Sequence, residues 1–410
     1  MHPSGTLMSH PKSWPALLLL PLVILYAPPA FAQPQLQSYD GRHYLIHSAL
    51  DKPLSLELAS RLDAMYEEYD RRLAEFLQNQ PRQKLEVYLF QNREDYQAFT
   101  GITHENSGGV FIPSRRLLAA YLNNQGRDAL RRTLQHEAFH QFADQTLGPN
   151  LPAWLNEGLA QVFEEGLWTG RGFLIGQIPP RRIRQLQSDI AAGRLIDFEQ
   201  FMALTPRQWT QNLADRERAT TQYNQAWAMT QMLIYATDTT GKPLYRPRLI
   251  EMLRILHSGT DGTEAFAQAF SRNYKGFQDR LVEYARTLQP TPEARWIERQ
   301  NVMADLLVEL YARGKSFTDI ESFRQAVAEG RYRMNYAKGD VQWSSDEDAL
   351  GYFADDQGRR FSRHDLYFSN RVGAPIADLV CRRSDTVRLR TRFALNNGQI
   401  EHETELEPAQ

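Results

Sequence analysis

The chain has 410 residues, 42% hydrophobic and 23% charged, so it can bury more than one ordinary core and has the composition of a globular protein. Its 47 basic and 49 acidic residues are well mixed and leave a net charge of −2, which gives no electrostatic footprint for nucleic acid or an anionic membrane. Cys381 is the single cysteine, which excludes an internal disulfide.

Residues 1–32 read as an export signal: Lys12 precedes an apolar run from Ala16 to Ala27, and Ala30-Phe31-Ala32 is a small-x-small cleavage site. The run has 12 residues and is broken by Pro21, short of the about 20 that span a bilayer. A soluble exported product, periplasmic or secreted and without a stable membrane anchor, is expected.

His43 to His47 reads as a strand, Leu54 to Leu77 as a long amphipathic helix, and Lys84 to Phe90, with Leu85, Val87 and Leu89 alternating, as a second strand. On a strand, His43 and His47 would stand roughly 13 Å apart and cannot share an ion. Gly108 to Ile112 and Leu117 to Leu122 flank Pro113-Ser114-Arg115-Arg116 and predict a hairpin.

The next segment is helical, with Asp128 near its start, an apolar stripe of Leu130, Leu134, Ala138 and Phe142, and Gly148-Pro149 closing it. It carries His136-Glu137-Ala138-Phe139-His140. Residues i and i+4 share a helix face, so both imidazoles can point at one ion while Glu137 can reach a water beside it.

Glu157 follows seventeen residues after His140, inside Pro152-Ala153-Trp154-Leu155-Asn156-Glu157-Gly158-Leu159-Ala160. Two histidines, a third ligand and a base make a zinc hydrolase site, because catalytic Zn2+ takes three protein ligands and acidifies a bound water to a pKa of about 7. The alternative is a pair of solvated helix residues with Glu157 capping a second helix.

From Pro180 to about Leu288 the pattern is helical: Ile183 to Ile190, Phe198 to Leu204, a strongly apolar stretch from Gln225 to Thr237, Tyr245 to Leu256, Thr263 to Phe270 and Tyr274 to Leu288. Gly170-Arg171-Gly172 is expected to be a flexible loop, and Arg181-Arg182-Ile183-Arg184 and Arg382-Arg383 solvated faces.

Gln289-Pro290-Thr291-Pro292 is the linker candidate, dividing residues 33–290 from 291–410. Two helices follow, near Trp296 to Arg313 and Asp319 to Glu329. Then come short β-prone runs, among them Ala349 to Phe353 and Thr386 to Ala394, with a hairpin signal at Asn396-Asn397-Gly398. This tail reads as a small domain of helices and antiparallel strands, either a partner-binding module or a structural appendage.

The histidine and Glu157 segments together resemble the gluzincin metallopeptidases, the thermolysin-like and aminopeptidase-N-like group of the MA clan, and are most similar to secreted bacterial MA-like peptidases of unknown function. The resemblance is strongest from Arg131 to Glu164 and extends weakly over Tyr39 to Leu288. It implies an α+β fold: a small mixed sheet with an edge strand beside the His-Glu helix, followed by a mostly helical half.

The same resemblance makes His136, His140 and Glu157 the Zn2+ ligands and Glu137 the general base. Glu164 matches a second acid seven residues after Glu157; two helical turns on, it could orient a ligating histidine, or be a solvated acid. Tyr223 is the candidate oxyanion donor, with a packed core tyrosine as the alternative. Leu117 to Tyr121, with Leu117, Ala119 and Tyr121 named, is the expected edge strand on which a peptide or protein substrate lies.

Two departures narrow the class. Ala143 and Thr146 stand where a metzincin needs Gly and His. No acid in Asn106-Ser107-Gly108-Gly109-Val110 matches the aminopeptidase amine-binding segment. The expectation is an exported zinc endopeptidase or processing enzyme. The alternative is a weakly catalytic or non-catalytic exported binding or assembly protein on the same scaffold, and hydrolysis of a non-peptide amide is a third reading.

Overall fold

Five short strands near the amino terminus build the sheet on which the helix carrying His136 and His140 is mounted: β1 (Gln37–Asp40), β2 (Tyr44–Ser48), β3 (Leu85–Phe90), β4 (Gly109–Ile112) and β5 (Leu117–Tyr121). The computed structural model describes residues 35–76, 83–103, 108–122, 126–330, 333–336, 341–344, 351–396 and 398–409. The expected export signal, most of the Asn106 segment's start and Asn397 of the expected turn lie outside the described residues.

The sheet order is β1-β2-β3-β5-β4, with β2, β3 and β5 parallel and the outer strands antiparallel. Two helices follow the inner strands, α1 (Lys52–Leu73) after β2 and α2 (Arg93–Thr100) after β3. Asp51 starts α1 by accepting the Leu54 amide at 2.8 Å, and Leu54, Leu58, Leu62, Met65, Tyr69 and Leu73 form its buried stripe.

The helical part runs α3 (Gly126–Thr146), α4 (Ala153–Glu164), the hairpin β6 (Leu167–Trp168) and β7 (Phe173–Leu174), then α5 (Pro180–Ala191), α6 (Phe198–Met202), α7 (Pro206–Asn212), α8 (Arg216–Tyr235), α9 (Arg246–His257), α10 (Gly262–Ala269) and α11 (Tyr274–Thr287). The chain continues with α12 (Pro292–Ala312), α13 (Ile320–Gly330), the pair β8 (Arg333–Tyr336) and β9 (Val341–Ser344), and β10 (Leu366–Ser369), β11 (Asp378–Arg382), β12 (Val387–Asn396) and β13 (Gln399–Pro408). The fold is therefore mixed α+β with several sheets, as the sequence predicts. Gly351–Phe353 is a short 3-10 turn where a strand was expected.

Residues Gln35–Gln410 form one compact unit with two main cores. One joins the first sheet to α1, α3, α4 and the helices up to Leu288; the other lies between α12, α13 and the antiparallel sheet β10-β11-β12-β13. The Pro-rich segment between them is held down: Thr291 Oγ1 donates to Gln177 Oε1 at 2.7 Å, and its amide donates to the Ile178 carbonyl.

Strand β12 separates two faces by its period of two. Leu389, Thr391 and Phe393 are buried towards α12, while Arg388, Arg390 and Arg392 stand on the other face. That charged face meets the amino-terminal part, where Arg131 of α3 pairs with Glu403 and Arg61 of α1 with Glu405.

Helix α8 departs from the apolar core helix predicted. Its buried residues include Gln222, Asn224, Gln225 and Gln231. They clamp neighbouring segments to α8, since Gln222 donates to the Trp209 carbonyl of α7, Asn224 to that of Arg182 in α5 and Gln225 to that of Ile196 between α5 and α6. Periodicity alone cannot reveal this, because buried amides are stable there only through partners far along the chain.

Candidate metal centre

Five hydrogen bonds from two buried glutamines fix helix α3 in place. Gln141 Nε2 donates to the carbonyls of Glu86 and Arg116 at 3.0 and 3.2 Å, tying the helix to the first sheet. Gln135 Nε2 donates to Phe163, Glu164 and Gly166, satisfying carbonyls at the end of α4 that the helix leaves unpaired. Helix α4 is also pressed onto α8, where a Cβ on Gly158 would stand 2.1 Å from Thr230 Oγ1 and 2.6 Å from the Ala226 carbonyl. Only glycine permits that approach, next to Glu157.

This scaffold brings together the residues singled out from sequence. His136 Nε2 lies 3.2 Å and His140 Nε2 3.7 Å from Glu157 Oε2, and the three donor atoms lie within 4.8 Å of one another. The side chains are only 15%, 12% and 17% exposed.

The outer ring nitrogens are also engaged. His136 Nδ1 lies 3.1 Å from Glu164 Oε2 and His140 Nδ1 3.1 Å from Asn156 Oδ1. Both partners are acceptors, so each Nδ1 carries a proton and each Nε2 faces Glu157. Glu164 thus stands where a histidine-orienting acid was expected.

Electrostatics favour a cation between these groups. Burial pushes the His136 imidazolium down, but hydrogen bonding and charge from Glu157 and Glu164 outweigh it and hold the pKa well above the usual histidine range. Burial likewise opposes the Glu164 charge, yet His136, then Arg182 and Arg181, hold its pKa down to about 2.

The donor spacing suits a small tetrahedral metal ion. Bonds of about 2.0–2.1 Å in a tetrahedral site imply ligand–ligand separations of roughly 3.3 Å, close to the observed 3.2 and 3.7 Å. Glu157 Oε2 is buried and faces the inner ring nitrogens of both histidines, so one carboxylate oxygen and two imidazole nitrogens converge on one point. His136, His140 and Glu157 could thus hold a metal ion.

Glu137 stands beside this group. Its Oε2 accepts the Phe111 amide of β4 at 2.9 Å. The edge strand can come so close because Gly109 has no side chain: a Cβ there would lie 2.6 Å from Thr133 Cγ2 of α3.

Tyr223 faces the same region. Burial first, then the charges of Glu157, Glu137 and Glu164, push its phenol above the usual range. Its ring packs edge-on against Trp209 at 5.5 Å between centroids.

The expected substrate shelf needs correction. Leu117, Ala119 and Tyr121 belong to β5, an interior strand bonded to β3 on one side and β4 on the other, and every residue of β5 is buried. These three side chains pack with Phe90 and Tyr96 of α2 in a small separate core. The open edge is β4. The unbroken apolar run Leu117-Leu118-Ala119-Ala120-Tyr121 is itself the signal, because strands covered on both faces do not alternate.

Sequence reasoning missed the partners around the ligands. Arg182, only 12% exposed, hydrogen-bonds Glu165 at 2.7 Å and lies 3.9 Å from Glu164, and Arg181 joins Glu165 at 2.6 Å. The basic pair is therefore a brace behind the site and not a solvated face. Arg383 is similarly enclosed, stacked over Trp296 at 4.4 Å. Asn156 was visible only as the neighbour of Glu157.

A family model described as "Protein of unknown function (DUF1570)" matches residues 131–241. The matched stretch runs from α3 through α4 to just beyond α8 and includes His136, Glu137, His140, Glu157, Glu164 and Tyr223. No curated protein matches the chain.

Proposed function

We propose that this chain is an exported zinc metallopeptidase of the gluzincin type, acting as an endopeptidase or processing enzyme. The observation that carries this reading is the convergence of His136 Nε2, His140 Nε2 and Glu157 Oε2 with the Glu137 carboxylate held beside them by the Phe111 amide. A ligand triad alone could be structural; Glu137, at the helix position after the first histidine, adds the carboxylate that a hydrolytic site needs as its base.

His136, His140 and Glu157 would hold Zn2+, which when bound polarises a carbonyl and acidifies water. Glu137 accepts the proton of the attacking water and returns it to the leaving amine. Tyr223 donates a hydrogen bond to the carbonyl oxygen as negative charge develops. Burial and the neighbouring carboxylates keep the phenol protonated, as that role requires. Strand β4, at the end of the sheet, replaces β5 as the edge for an extended peptide.

The test is cleavage of a complex peptide mixture by the mature chain, read by mass spectrometry, with Glu137→Gln and a chelator run in parallel. Cuts that vanish in both controls support the peptidase; zinc bound with no cuts supports a binding protein on the same scaffold. Glu137→Gln should lower turnover by about 10²–10⁴.

A further inference from the structure

A cavity of about 620 Å³ opens on the charged face of the antiparallel sheet, away from the metal ligands, and its wall holds Arg171, Arg371, Arg388, Arg390 and Arg392. Two carboxylates, Asp378 and Glu407, share that wall. Asp378 accepts from Arg371 at 3.1 Å and Arg390 at 3.2 Å; Glu407 accepts from Arg388 at 3.0 Å, Arg390 at 3.1 Å and Arg392. Five guanidinium groups therefore face two carboxylates, and arginine cannot shed its charge.

The excess has a cause in the register. Arg388, Arg390 and Arg392 stand directly opposite Glu407, Glu405 and Glu403, a balanced ladder. The balance is shifted because Glu403 is drawn to Arg131, and Glu405, which accepts from Arg392 at 2.7 Å, is shared with Arg61; both competing arginines are on the amino-terminal part. Positive charge is left over on the β12 side.

Donors are left over as well. Arg388 is hydrogen-bonded through Nε alone, and Arg171, at the turn between β6 and β7, has no ion-pair or hydrogen-bond partner among the described residues. Alternate residues along a strand are roughly 7 Å apart, so the three β12 arginines address a ligand at several points.

We propose that this cavity binds a small organic polyanion carrying two or more phosphoryl or carboxylate groups. The volume is that of a small-molecule site, and guanidinium forks match both kinds of oxyanion. Arg171 reaches the ligand from the hairpin and the β12 arginines from the sheet, so the bound anion bridges the two elements.

Calorimetric titration of the full chain at low ionic strength, with fructose 1,6-bisphosphate and with tricarballylate, tests this. One saturable site is expected; the tighter probe identifies phosphoryl or carboxylate as the preferred group. Arg171→Gln, at an exposed position, and Arg388→Gln should each weaken binding about tenfold or more. His140→Ala should leave it unchanged, which separates the cavity from the metal centre. Absence of saturable binding by either probe, equal affinity in both arginine variants, or loss of binding in His140→Ala would overturn the assignment.

Discussion

The Phe111 amide donates to Glu137 Oε2 at 2.9 Å, which ties the outer strand of the first sheet to the carboxylate beside the metal ligands. Strand and proposed base are thus positioned as one piece. Phe111→Pro removes this donor, and because the Phe111 N–H points away from β5, the β4–β5 ladder should survive. The variant is expected to retain its metal and lose about tenfold to a hundredfold in turnover, from the value of a hydrogen bond to a charged group. Steady-state kinetics with metal analysis on the same sample checks it.

Glu164→Gln replaces the carboxylate that holds His136 Nδ1. Loss of such a partner typically lowers metal affinity about 10–100-fold. Asn156→Ala, which frees His140 Nδ1, should act in the same direction. Competition titration against a chromogenic chelator reads both, and unchanged affinities would remove these residues from the metal centre.

Arg131 is 4% exposed and pairs with Glu403 and with Glu57, the latter at 2.8 Å. Stranding a buried charge costs about 3–5 kcal/mol. For Arg131→Met we expect a smaller loss of about 2–3 kcal/mol, since Arg61 remains to face both carboxylates. Urea unfolding measures it.

The same cluster gives stability a pH dependence. Burial opposes the Glu57 charge, but Arg131 and Arg61 outweigh it and hold its pKa below the usual carboxylate value. Glu407 is lowered in the same way, with Arg390 and then Arg392 and Arg388 outweighing burial. A depressed carboxylate pKa contributes stability that is full above its unfolded value of about 4.3 and is lost as pH falls through the folded one. Unfolding midpoints measured from pH 7 down to pH 3 should therefore fall mainly below about pH 4.5. Glu57→Gln should lower the plateau and flatten that fall.

The helices α3 and α4 were legible because their information is local: the i, i+4 histidines, the stripe through Leu134 and Phe142, and Pro152 at the start of α4. Strand existence was legible for β2, β3, β4 and β5, but sheet order was not, since a hairpin does not tell which of its strands is the edge. Helix α2 was missed because it is short and buries only Tyr96. Asn156 and Arg182 were missed because their roles exist only where one helix crosses another. The buried amides of α8 are the same case.

The most direct test of the account is calorimetric titration of the chelator-stripped chain with Zn2+, alongside His136→Ala, His140→Ala, Glu157→Ala and Glu137→Gln. One tight site is expected, abolished by each ligand substitution and kept in Glu137→Gln. No saturable zinc binding by the native chain, or binding that survives loss of Glu157, would contradict it.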